Sequence, residues 1–404
     1  MRVREEPRSR WLVPPPEDGR ASALFYAGHL FTAWAISVSN VLLGLAVVAG
    51  AGRWPRLARG GPAASARLAL AYLVLLVASI AASEAPRVSF RSLSEIFSFA
   101  TLGLTLVFAR GELRMRWLVD SLILVGAAVA LWGLAQFGAG YGGLEHRIRG
   151  PFSHYMTFSG FLLIVDMLLV ARLLRRRPVA DATRPTQLLD RPWAAWGSLV
   201  AITWALVATL TRGAWIALVT GLLALALAER RRLLAWAAPV VLLFLVVAPV
   251  PMVARALSIG DLSETSTYDR LCMAEAGLRM IGERPLLGVG PEVVKRIYPL
   301  YRHPTAPRLW VPHLHNTYIQ LAAERGIPAL SIFLALLGAS LLAARQGYRA
   351  GGRAADLQLG FLGALGAFTI AGLFENNWGD TEVQRLVLFL LAAPFAVASA
   401  ERAS

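Results

Sequence analysis

Long apolar runs recur along almost the whole sequence, and each is long enough to cross a lipid bilayer as a helix. A membrane-spanning helix needs about 20 consecutive, mostly apolar residues. Apolar residues make up 56% of the 404 positions and charged residues only 16%, so a globule of this size could not hide its apolar side chains. The sequence therefore predicts an all-α polytopic membrane protein. We predict spans at 66–83, 93–109, 117–138, 156–174, 193–211, 213–228, 236–254, 327–344, 357–375 and 382–400.

The first apolar run, residues 24–50, is predicted to enter the membrane and return. Five arginines precede it and four lie within 53–67, and short basic loops stay on the cytoplasmic side. Two short helices are therefore expected, with a break near Ser39 and Asn40, and the run is too long for a cleavable signal peptide. The sequence thus predicts about twelve transmembrane helices, nine within 24–254 and three within 327–400. The remaining segments are a basic cytoplasmic N-terminus at 1–23, a periplasmic loop at 255–326 and a cytoplasmic C-terminus at 401–404.

The net charge of +15 comes from 39 arginines and a single lysine, Lys295, in short clusters between the apolar runs. In a soluble domain this charge would suggest a nucleic acid partner. Here most of it follows the positive-inside rule, and no nucleic acid partner is expected. The predicted topology places 25 basic residues on the cytoplasmic side and 15 outside. Topology does not explain the 15 outer residues, so they are the better functional candidates.

The outer basic residues fall into three clusters with polar neighbours. An arginine at a lipid–water boundary can simply cover apolar surface with its stem, but Arg212 lies in a turn too tight to need such a residue. Guanidinium groups bind phosphate oxygens bidentately and stay charged, so several converging arginines favour a diphosphate site. The clustered residues are Arg147 and Arg149 before the span at 156–174, Arg212 between two spans, Arg270, Arg279 and Arg284 in the long loop, and His313, His315 and Asn316 at its end.

Four of the six histidines lie in these clusters. Histidine exchanges a proton near neutral pH and can act as a catalytic base, although histidines can also serve only as hydrogen-bonding groups. His313 and His315 could instead bind zinc, but no third and fourth ligand at zinc spacing accompanies them. No pair of carboxylates offers a site for another metal, so we expect neither a metal nor a cofactor. The single cysteine, Cys272, excludes an internal disulfide.

The end of the long loop carries the most recognisable pattern. His315 and Asn316 are followed after nine residues by Gly326 and then by an apolar span, and this string resembles the signature of bacterial O-antigen ligases. Four other segments resemble parts of that family in the same order, although His154 and Tyr155 stand where the family often has a further asparagine or proline-asparagine. These segments are 149–152, 211–215, Arg270 and Leu271 with 285–290, and 374–377.

The resemblance implies a membrane glycosyltransferase of the GT-C type in the bacterial inner membrane. Its substrates would be an undecaprenyl-diphosphate-linked glycan and a lipid A–core acceptor, joined at the periplasmic face among membrane lipids. His315 is expected to be the base, and Arg212 and Arg270 are expected to hold the diphosphate. Substrate-binding roles are expected for Arg149, Arg147, His313, Asn316, Arg279, Arg284 and Asn376.

Two other functions remain open at this stage. A polymerase of the same superfamily would use another lipid-linked glycan as its acceptor, and the motifs do not separate it decisively from a ligase. A transporter would place ionisable groups near mid-membrane on broken helices. Here the predicted spans hold few such groups, mainly Asp166 and Gln136, which argues against transport.

Overall fold

The protein is seen in a computed structural model that describes residues 19–58, 62–175, 183–229, 250–257 and 264–401. All regular secondary structure in these ranges is helical, which confirms the predicted class. Three 3₁₀ helices lie at Ala51–Ala58, Phe90–Leu93 and Asn377–Gly379. The α-helices are α1 (Arg20–Phe31), α2 (Ile36–Ala49), α3 (Pro62–Ala81), α4 (Pro86–Ser89), α5 (Ser94–Phe108), α6 (Glu112–Gly138), α7 (Tyr155–Leu174), α8 (Arg184–Leu189), α9 (Pro192–Ala208), α10 (Arg212–Glu229), α11 (Val250–Leu257), α12 (Thr265–Glu283), α13 (Val294–Tyr301), α14 (Thr317–Ala350), α15 (Ala355–Ala371) and α16 (Thr381–Glu401).

Seven helical segments in the described ranges are long and apolar enough to cross a membrane. Three shorter apolar helices, α2, α9 and α15, accompany them. These helices coincide with the predicted spans, apart from 236–254, which lies largely outside the described residues. The total of twelve stays a prediction. The seven segments are Ala64–Ala81, Pro86–Phe108, Glu112–Gly138, Tyr155–Leu174, Arg212–Glu229, Thr317–Ala350 and Thr381–Ala398.

The centre of the bundle is formed by α7, α15 and α16, which pack against one another. In α7, 83% of the residues in the apolar, membrane-length stretch are buried inside the bundle, against 33% in the corresponding stretch of α3. The apolar residues of α3 therefore face mainly outward, as expected where the surrounding solvent is lipid.

Residues 24–50 form the expected pair of short helices, but the predicted break near Ser39 and Asn40 is wrong. The chain turns at residues 32–35, and both polar residues lie inside α2. The hydroxyl of Ser39 donates to the carbonyl of Gly28 at 2.7 Å, and the amide oxygen of Asn40 accepts from Arg385. Because both side chains have partners within the bundle, they do not need to interrupt the helix.

The loop between α11 and α14 has a small apolar core of its own, which includes Met273, Val293, Tyr298 and Leu314. Its first helix, α12, ends at Glu283, because Pro285 disfavours helical dihedrals in the residue before it. Ser266 and Asp269 have the spacing of a capping box, but α12 begins at Thr265 without a side-chain cap. Those two side chains instead bind Arg212 and Arg308, respectively.

The helix that follows the loop changes direction at Gly326, the glycine that follows His315 and Asn316 in the motif. Gly326 has φ 83° and ψ 165° inside α14, a conformation that favours glycine. A Cβ atom there would lie 2.1 Å from the carbonyl oxygen of Leu286. Asn316 caps the start of α14, since its Oδ1 accepts from the backbone N–H groups of Tyr318 and Ile319 at 3.0 Å. The kink separates a short loop-side helix from the apolar helix beyond it.

Candidate active site

A cavity of about 280 Å³ lies at the end of the bundle where the α12 loop packs, which we call the loop face. Segments far apart in the sequence form its wall: the stretch before α7, the turn between α9 and α10, helix α12 and the residues before α14. Five of the residues predicted from the sequence line it, namely Arg147, Arg212, Arg270, His313 and His315.

A histidine–carboxylate pair lies at this cavity. The Nδ1 atom of His315 is 2.8 Å from Oε2 of Glu375, and both side chains are about 10% exposed or less. Burial would raise the pKa of Glu375, but the hydrogen bond with His315 and the electrostatic effect of the neighbouring His315, His313 and Arg270 side chains outweigh burial and lower the pKa to about 2. An ionised Glu375 favours a proton on Nδ1 of His315, which leaves Nε2 as the nitrogen that can accept one.

His313 lies beside this pair. Its ring centroid is 4.3 Å from that of His315, and its Nδ1 atom is 3.5 Å from Oε1 of Glu375. The same nitrogen accepts the backbone N–H of His315 at 3.3 Å. Burial lowers the pKa of His313 to about 4, a shift that the charge of Glu375 opposes. His313 is therefore neutral near pH 7 and supplies hydrogen bonds rather than charge.

The same three side chains could hold a metal ion. His313, His315 and Glu375 each offer one ligand atom, and the three atoms lie within 4.8 Å of one another. Two histidines and a glutamate form one of the donor sets that catalytic zinc uses, with the fourth position left to water or substrate. The sequence showed only the two histidines of this set, because the third donor comes from the turn between α15 and α16.

Arg212 is the first residue of α10 and is buried against the loop. Its guanidinium pairs with Glu264 and donates to the hydroxyl of Ser266 at 2.8 Å. Arg212 therefore joins the start of α12 to the bundle while it lines the cavity.

Three further arginines line the wall. Arg270 lines the cavity and has no hydrogen bond or ion pair with the described residues. Its N–H donors are therefore available to bind an anion. The guanidinium of Arg147 lies over the ring of Tyr155 at 4.3 Å. Arg308 pairs with Asp269 at 3.2 Å and is largely exposed. The wall thus has strong positive charge beside the His315–Glu375 pair.

The structure does not bring the other predicted residues to this cavity. Arg149 donates to the carbonyl of Ser153 at 3.1 Å, and Asn316 caps α14. Asn376 directs its backbone N–H to Oε1 of Glu375 at 2.9 Å. Arg279 pairs with Glu275 at 2.5 Å and Arg284 with Glu84 at 3.5 Å, both on the exposed surface.

Sequence reasoning missed Glu375, His154 and Arg308 as site residues. Glu375 lies in the turn 374–377, which carried part of the family resemblance, but Asn376 was chosen from that turn. His154 lies in the first polar cluster and lines the cavity, and burial lowers its pKa. The one available signal for Glu375 was that it is the only carboxylate in its polar turn.

The described helices and this cavity define a multi-pass helical membrane protein with a histidine–carboxylate pair and several arginines at one end of its bundle. A family model described as O-Antigen ligase matches residues 197–334. The match runs from α9 to the kinked helix α14 and includes Arg212, Arg270 and His315. The resemblance predicted from the motifs is therefore confirmed over this stretch. No curated protein matches the chain.

Proposed function

We propose that this protein is an O-antigen ligase of the GT-C type in the bacterial inner membrane. It transfers a glycan from undecaprenyl diphosphate to a lipid A–core acceptor at the periplasmic face. The observation that carries the proposal is the His315–Glu375 pair at 2.8 Å in a cavity lined by arginines. The family match over 197–334 supports the substrate class.

The acceptor hydroxyl is a weak nucleophile and needs a positioned base, a contribution of roughly 10²–10⁴-fold. Nε2 of His315 takes the hydroxyl proton while the oxygen attacks the first carbon of the donor glycan. Glu375 holds the ring through Nδ1 and stabilises the imidazolium that forms, as the aspartate does in a catalytic triad.

The bond between the glycan and the diphosphate breaks in the same step, and its electron pair leaves with the diphosphate. Negative charge then grows on the leaving group. Arg270 and Arg212 face this charge from the cavity wall, and fixed positive groups in a water-poor site stabilise it strongly. Arg147 and His313 contribute further hydrogen bonds along the same wall.

The deciding experiment supplies purified protein with an undecaprenyl-diphosphate glycan and offers two acceptors in parallel. A ligase forms a glycan on lipid A–core, whereas a polymerase of the same superfamily forms a longer lipid-linked glycan. His315→Gln should abolish the product. His303→Gln is the matched control, because His303 lies on the loop face but does not line the cavity. The absence of any covalent product with either acceptor would overturn the proposal.

A chelator adds a second arm to this assay. We propose that the arginines neutralise the diphosphate without a metal, so turnover should survive excess EDTA. If EDTA abolishes turnover and zinc restores it, then His313, His315 and Glu375 act as metal ligands and the base assigned to His315 is wrong.

A further inference from the structure

A second, larger cavity of about 710 Å³ lies on the other side of the turn that carries Glu375. It shares no lining residue with the first cavity. Its walls come from α2, the 3₁₀ helix Phe90–Leu93, the start of α5 and the start of α16. The turn between α15 and α16 thus carries Glu375, which binds His315 of the first cavity, and Trp378, which lines the second.

Arg385 in this cavity wall is a buried cation that forms no ion pair with the described residues. It is the fifth residue of α16 and is 1% exposed. Its guanidinium donates to the neutral side chains of Ser39, at 3.0 Å, and Asn40. Its Nε atom is buried without an acceptor. Burying an uncompensated charge costs several kcal/mol, and an ionisable residue inside a membrane bundle commonly marks a functional site.

Glu382, three residues before Arg385, acts on the guanidinium through its charge but forms no ion pair with it, and the other carboxylates near this cavity have partners of their own. Glu95 binds Arg325 at 2.6 Å, and Glu324 binds the same guanidinium at 3.1 Å. Glu292 at the rim pairs with Lys295. Arg91 adds a further positive charge at the rim, where it is exposed and has no ion pair with the described residues.

The mouth of the cavity is amphipathic. Val41 of α2 forms one edge and is 62% exposed on an apolar helix, so this edge faces the surrounding lipid. Arg91, which is exposed and charged, belongs to the same lining. A ligand that suits this mouth has an anionic head and an apolar tail, and the guanidinium fork matches the oxygens of a phosphate group, the anionic head of many membrane lipids.

We infer that this cavity is a second anion site, which binds the phosphate group of a membrane lipid against Arg385 and Arg91. The same chemistry would accept free phosphate, and the test below separates the two sources. The inference concerns binding alone and needs neither the donor nor the acceptor of the proposed transfer, so its failure is distinguishable from failure of the proposed function.

The test measures lipid binding to the purified full-length protein by native mass spectrometry. The probes are dioleoyl phosphatidic acid, dioleoyl phosphatidylcholine as a zwitterionic comparison, and inorganic phosphate as a competitor. The expected result is preferential binding of phosphatidic acid that millimolar inorganic phosphate does not displace. Full displacement by inorganic phosphate would show that the free anion is the ligand and would overturn the assignment to a lipid.

Matched variants locate the binding. Arg91→Gln should weaken phosphatidic acid binding roughly ten- to a hundredfold, whereas Arg87→Gln, which removes a nearby exposed charge outside the cavity, should not. Val41→Trp narrows the lipid-facing edge and should also weaken binding. Val48→Trp, on the same helix outside the cavity, should leave it unchanged. Arg385→Gln should cause the largest loss of binding. If that variant fails to fold, the comparison of Arg91→Gln with Arg87→Gln and that of Val41→Trp with Val48→Trp still test the inference. Equal binding in each pair, or equal binding of the two lipids, would overturn the inference.

Discussion

His315 has a backbone conformation that is uncommon for a residue with a side chain. Its φ of 49° lies in the left-handed region, and this conformation typically costs about 1–3 kcal/mol outside glycine. The neighbouring contacts hold it in place: Glu375 binds the ring, and Asn316 caps the helix that follows. The residue that we assign as the base is therefore fixed in position before any substrate binds.

The first prediction concerns Glu375. Glu375→Gln keeps the shape of the side chain but removes the charge that holds the proton on Nδ1 of His315. We expect a loss of about 10²–10⁴-fold in turnover, with little change in donor affinity. Single-turnover rates and donor binding measure the two effects separately. Glu382→Gln, in the next helix and outside the cavity, is the control, and an equal loss in both variants would contradict a specific role for Glu375.

The second prediction follows from the pKa of His313, which burial lowers to about 4. In the unfolded chain the imidazole of His313 binds a proton near pH 6.5. Between about pH 6.5 and 4 this side chain therefore holds more protons in the unfolded state than in the folded one. Stability must therefore fall as the pH falls through this window. Glu375 stays ionised throughout it, because its pKa is near 2.

His313→Gln removes this titration and should reduce the loss of thermal stability between about pH 7 and pH 5. Melting temperatures of both proteins in the same detergent provide the measurement. Parallel curves for the variant and the wild type would show that His313 does not titrate between the folded and unfolded states in this way.

At the scale of the elements, local pattern predicted most of the helices. Apolar length placed the spans that the described helices form. The pattern failed where a side chain finds a distant partner: Ser39 and Asn40 stay helical because Gly28 and Arg385 satisfy them. Glu375 was missed for the same reason, since the contact with His315 joins residues that are 60 positions apart.

The third prediction uses two glycines of α14. Gly326→Ala should destabilise the protein by at least about 1–3 kcal/mol, because φ is 83° there and the new Cβ would lie 2.1 Å from the carbonyl oxygen of Leu286. Turnover should fall as well, since the loop that carries His315 would have to shift. Gly338 has open space at its Cβ position, so Gly338→Ala should leave turnover unchanged and should not lower thermal stability. Equal effects at the two positions would contradict a requirement for the kink.

At the scale of the whole molecule, the first cavity exists only where the loop packs on the bundle. Arg212 of α10 pairs with Glu264 at the start of α12, and His315 before α14 pairs with Glu375 in the turn after α15. Both contacts lie at the cavity, so loop packing and site assembly are the same event. Arg212 consequently has two roles to separate: it joins the loop to the bundle, and in our proposal it binds the donor diphosphate.

The last prediction separates these roles with glutamine substitutions at Arg212, Glu264 and Arg270. If Arg212 only joins the loop to the bundle, Glu264→Gln should be as harmful as Arg212→Gln. If Arg212 also binds the diphosphate, Arg212→Gln should lose roughly ten- to a hundredfold more donor turnover than Glu264→Gln, which corresponds to one charge-assisted contact.

Arg270→Gln should cause a similar loss. Two arginines that share one diphosphate should also be coupled, so the double variant Arg212→Gln with Arg270→Gln should lose less than the product of the single losses. Lysine should rescue neither position well, because a point charge does not reproduce a bidentate contact. Independent losses at the two positions, together with equal effects of Arg212→Gln and Glu264→Gln, would limit Arg212 to its structural contact and leave Arg270, Arg147 and Arg308 as the remaining arginines of the cavity wall.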